Sequence, residues 1–145
     1  MKNNNNLFYL CSLIEYIARK TTNRRYDVVK QIENKLQQIY DYADIFHCEP
    51  IEKVADDFIR KQHIANGNYD NVSECRYSVP DYWDIGEVFA RLIEDCYDDK
   101  NIIKGVKEVY SSWLADRILN FNSDLYYQSR DYMAACYKEG EFVSA

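Results

Sequence analysis

Four glycines and two prolines in 145 residues leave this chain few places to turn. A sheet needs a tight turn between most of its strands, and such turns draw on glycine and proline. Helices need few breakers. The scarcity therefore points to an all-α fold. Hydrophobic residues make up 47% of the chain, enough for a packed core and too many for a disordered one. The length suits one domain, residues 1–145.

The spacing of apolar residues divides the chain into about six helices. The first is expected over about 6–21, with Leu7, Leu10, Cys11, Ile14, Ile17 and Ala18 on one stripe and Ser12, Glu15 and Arg19 off it. The second, about 24–46, presents Val28, Ile32, Leu36, Ile39 and Ala43. The third starts at Pro50, which suits a first helical position, and fades near His63. Residues 65–80 break the periodicity, with a turn at Asn66-Gly67-Asn68 and a proline at their close. A fourth helix is expected to open on a capping box of Asp84 and Glu87. A fifth covers about 101–121 and includes Gly105, a sixth covers about 125–138, and Gly140 suits its stop. The expectation is one compact domain of two three-helix groups, 1–64 and 81–140, joined by a loop near 65–80. A shared core is expected, because roughly 70 residues alone bury little surface.

Composition narrows the function classes. No apolar run is long enough to cross a membrane. Arg19-Lys20 follow the first apolar stretch, where a signal peptide would carry small residues, so a helix is expected there. The cysteines, Cys11, Cys48, Cys75, Cys96 and Cys136, are odd in number, widely spaced and without a CxxC pair. That pattern suits free thiols in a reducing cytoplasm better than disulfides or zinc. The net charge of −6 arises wholly in residues 73–145, with eight basic and fourteen acidic residues, while 1–72 balance at ten each. An acidic half disfavours general nucleic-acid binding and suits a basic protein partner, or simply solubility.

No cluster of catalytic residues stands out, and no metal or cofactor is assigned. Cys48 adjoins His47, but neighbours on a helix point apart, and His63 is distant in sequence. A small enzyme using Cys48 or the carboxylates Glu94, Asp95, Asp98 and Asp99 is the third reading, and the carboxylate spacing matches no calcium loop. Arg19, Lys20, Arg24 and Arg25 place four cations at the turn between the first two helices. They carry the second reading, a nucleic-acid-associated regulator, although cations at a helix end also complement its dipole.

The leading reading rests on fourteen tyrosines. Tyrosine joins a large apolar ring to a hydroxyl that needs a partner, and it is favoured at interfaces. Tyr77, Tyr82 and Trp83 gather beside Pro80, and with Tyr69 they are the candidate partner-binding residues of a protein–protein interaction module. The competing expectation is that Tyr82 and Trp83 staple the loop to the core. Tyr126, Tyr127, Tyr132 and Tyr137 crowd the last helix, and a homodimer through that face would cover them.

Leu13 to Lys20, Ile39 to His47 and Val54 to Ile59 together resemble a family of short helical bacterial proteins with no assigned activity. The resemblance spans about 7–60. Members are often encoded beside a larger protein similar to an ADP-ribosyltransferase. The resemblance implies an antitoxin-like or accessory protein-binding role and carries over no catalytic residue.

Overall fold

The computed structural model describes residues 4–144, and every regular element among them is helical. Nine α-helices and three single 3-10 turns replace the six helices expected. In chain order the helices are α1 Asn5–Thr21, α2 Arg25–Gln31, α3 Leu36–Asp41, α4 Ala43–Phe46 and α5 Ile51–Lys61. After the loop come α6 Tyr82–Cys96, α7 Ile102–Tyr110, α8 Trp113–Ile118 and α9 Arg130–Glu139. The all-α class holds. The extra helices come from breaks inside long periodic stretches.

The expected second helix is three short ones, α2, α3 and α4. A straight helix over that stretch would run about 35 Å, against about 25 Å for α1. Breaks at Ile32 and Tyr42 bend the segment around α1, so Val28, Ile32, Leu36, Ile39 and Ala43 all stay buried. The expected fifth helix divides at Ser111-Ser112. Both hydroxyls turn back onto carbonyls, Ser111 to Glu108 at 3.1 Å and Ser112 to Val109 at 2.6 Å. Ser112 then caps α8 by accepting from the Ala115 amide. Such local side-chain bonds compete with a continuing helix. The sixth starts late, at Arg130, because Ser129 caps it. Gly140 ends it in the left-handed region at φ 77°, as expected.

The expected capping box at Asp84 is also corrected. α6 opens one turn earlier, where Asp81 accepts from the Trp83 amide at 2.9 Å and Asp84 lies within the first turn. That shift puts Tyr82 and Trp83 on the helix itself rather than in the loop.

α1 runs through the middle, in contact with α2, α3, α4, α5 and α6. Its expected polar side is therefore buried too. Ser12 and Glu15 are both fully enclosed. Glu15 meets Arg25, itself buried, with Arg25 Nε 3.1 and 3.2 Å from the two carboxylate oxygens. Ser12 meets Gly86 of α6, where a Cβ would lie 2.3 Å from Ser12 Oγ and 2.7 Å from its Cα. Glycine is required there by proximity, not by φ. One hydrophobic cluster runs from Leu7 to Cys136 and takes residues from both sides of the 65–80 loop. No helix among the described residues is long and apolar enough to cross a membrane.

Candidate interaction surface

The Gly86–Ser12 contact organises the surface above it. Gly86 lies three and four residues beyond Trp83 and Tyr82, so these rings straddle the point where α6 touches α1. Phe8 and Tyr16 lie four residues either side of Ser12 on α1. Trp83 packs on Phe8 with ring centres 5.5 Å apart, and Tyr82 meets Tyr16 edge-on at 5.0 Å. Tyr82 and Trp83 touch each other at 5.3 Å. His47, just past α4, lies 6.0 Å from Trp83 and 5.3 Å from Tyr9. The result is a connected row, Tyr16–Tyr82–Trp83–Phe8 with His47 beside it, half-buried except for the exposed imidazole. Each ring pair contributes about 0.5–1.5 kcal/mol beyond its buried area.

Carboxylates flank the row. Glu49 and Glu52 lie at the head of α5, and Asp81 at the head of α6. Burial pushes the Tyr82 hydroxyl upward, and Glu52 and Asp81 push it in the same direction. The Tyr9 hydroxyl, buried and without a hydrogen-bond partner, is pushed up to about 12 by burial and then by Glu49. Nearby cations are committed elsewhere. Lys20 pairs with Asp56, Lys53 with Glu49, and Arg19 donates to the Pro80 carbonyl at 2.6 Å.

The four residues singled out for partner binding separate into two sets. Tyr82 and Trp83 share the row. Tyr69 lies instead at the turn between α1 and α2, where the Arg24 guanidinium sits 4.8 Å above its ring and that of Arg25 6.0 Å. Tyr77 is 66% exposed and makes no ring contact among the described residues. The loop carrying both is pinned along its length. Gly67 donates to Thr21, Tyr69 to Thr22, Asn71 to Leu119 and Arg76 to Asn122, all at 2.8–2.9 Å.

The four cations of the first turn do not form one surface. Arg25 is buried against Glu15, Arg19 is half-buried over Phe121, Lys20 is held by Asp56, and Arg24 covers Tyr69. The acidic cluster is largely used internally. Arg130 of α9 clamps Asp95 with two bonds of 2.9 and 2.8 Å and reaches Glu94 at 2.9 Å. Asp98 caps the 3-10 turn that follows, accepting from the Lys100 amide. Cys48 is exposed and its thiol faces the Asp44 carbonyl. With His47 and Tyr9 it lines an open cleft of about 550 Å³. No group of three His, Cys, Asp or Glu among the described residues is placed to hold a metal. Of the tyrosines expected on the last helix, Tyr126 and Tyr127 lie instead in the 3-10 turn before α9. Tyr137 is tied through Tyr97 to Glu108, and Tyr126 packs on Phe121, so Tyr127 is the ring most displayed among them, at 68% exposure.

Sequence reasoning named Tyr82 and Trp83 for partner binding, weighed His47 only beside Cys48, and missed Phe8 and Tyr16. The spacing of Phe8 and Tyr16, eight apart and flanking the apolar stripe of α1, was the available signal. Comparison of the chain with protein-family models, curated proteins and solved structures finds no match.

Proposed function

We propose that this protein is a non-catalytic protein-interaction module whose docking face is the ring row at the head of α6. The observation that carries the reading is the row itself, four aromatic rings in contact, partly open to solvent, and set on two helices whose backbones meet at Gly86. Tyrosine and tryptophan held rigidly in this way bind with little loss of side-chain freedom. The partner is a second protein. The resemblance of 7–60 suggests a neutralising or accessory role toward an enzyme encoded nearby.

The test is affinity capture from nuclease-treated lysate, comparing the native chain with Tyr82→Ala/Trp83→Ala. The expected result is one dominant partner, lost in the variant while its helicity is retained. If the variant unfolds, Glu52→Arg, at an exposed position beside the row, takes its place and is expected to weaken capture. Capture that survives either folded variant, or that vanishes on nuclease treatment, overturns the reading.

A further inference from the structure

The occupant of the row can be argued from how this chain treats its other rings. Phe121, Tyr69, Tyr26 and Phe142 each carry an arginine or lysine of the same chain over the ring face, at 4.8–5.9 Å. The rings of the row carry none among the described residues. The nearby cations Lys20, Lys53 and Arg19 are each held by another acceptor. Meanwhile Glu52 and Asp81, the two carboxylates that act on the Tyr82 hydroxyl, make no ion pair among the described residues, and both stand exposed. Ring faces attract cations through their quadrupole, and nearby carboxylates deepen that attraction.

We infer that the ring row accepts the cationic side chains of a basic segment of a partner protein, an arginine or lysine lying over Tyr82 and Trp83 with its charge toward Glu52 and Asp81. This rests on the docking face proposed above and adds what it recognises. The arrangement answers both parts of such a side chain. Its aliphatic stem covers the apolar rings, and its charged head stays near the carboxylates at the rim. Arginine is preferred over lysine, because its planar guanidinium stacks on a ring and is less strongly hydrated.

The test uses an oligo-arginine peptide and its citrulline counterpart, which keeps the shape and removes the charge. Binding is followed by calorimetry and by Trp83 emission in a Trp113→Phe background. The arginine peptide is expected to bind and to shift Trp83 emission, and the citrulline peptide to do neither. Glu52→Gln/Asp81→Asn, in which the asparagine can still cap α6, is expected to weaken arginine binding about tenfold, as loss of two rim charges would. Glu139→Gln/Glu141→Gln changes net charge equally at the end of α9 and is expected to leave binding near the native value. Equal weakening by the two pairs would mean general attraction to an acidic protein and would overturn the inference. Equal binding of citrulline and arginine peptides would overturn the cation preference yet leave the docking face standing. Binding that ignores Tyr82→Leu would remove both.

Discussion

Replacing Gly86 by alanine tests the packing on which the ring row depends. A Cβ at this position would lie 2.3 Å from Ser12 Oγ, 2.7 Å from Ser12 Cα and 2.8 Å from Ser12 N. Carbon atoms rest at about 3.5–4.0 Å, so α6 would have to retreat from α1 by roughly 1 Å. A side chain could rotate away, but the Ser12 backbone is fixed in the middle of α1. Overpacking of this kind costs about 1–3 kcal/mol, and here the clash lies at the severe end. Alanine returns about 1 kcal/mol of helix propensity. The expected net loss is about 2 kcal/mol, a fall in Tm of roughly 6–8 °C for a domain of this size. Urea unfolding followed by circular dichroism measures it. Ser12→Ala in the same chain should recover only part of the loss, since it removes the nearest atom and leaves Cα and N in place. Alone, Ser12→Ala should cost little, because the Ser12 hydroxyl is buried without a partner. A Gly86→Ala protein as stable as the native chain would refute the close helix contact.

Three further outcomes are expected. Arg25→Met should cost about 3–5 kcal/mol by stranding the buried Glu15 carboxylate, while Glu15→Leu/Arg25→Met should return close to native stability, both read from urea unfolding. Tyr9 holds its proton more tightly when folded, its pKa rising from 10.0 to about 12, so the native state binds more protons than the unfolded chain between those values. Stability should therefore fall as pH rises through that window, and Tyr9→Phe should flatten the fall in pH-dependent unfolding; an unchanged slope would count against the buried hydroxyl. A thiol-reactive chromophore should label exposed Cys48 at once, whereas Cys11, enclosed and with its pKa raised by burial, should react only after denaturation.

Much of the fold was legible because helical periodicity is a local signal. Leu7, Leu10, Ile14 and Ile17 announced α1, and Gly140 announced the end of α9. What escaped was set by tertiary context. Glu15 reads as a solvent-facing residue until Arg25, ten residues on, is folded over it. The bend at Ile32 follows from the length of α1, which the segment must wrap, and nothing within residues 24–46 records that length. Ser112 and Ser129 carried their capping signal openly, yet apolar spacing on both sides masked it. The site divided in the same way. Tyr82 and Trp83 stood out by composition. Phe8, Tyr16 and His47 joined them through long-range packing alone, and the need for glycine at position 86 became visible only once Ser12 lay against it.

The docking face is tested most directly by Trp83 itself. In the Trp113→Phe protein Trp83 is the only tryptophan, and its emission can be followed as a captured, purified partner is added. The account predicts a saturable blue shift as the half-exposed indole is covered, with the same midpoint as complex formation. A complex that forms while Trp83 emission stays unchanged would place the interface elsewhere and contradict the account.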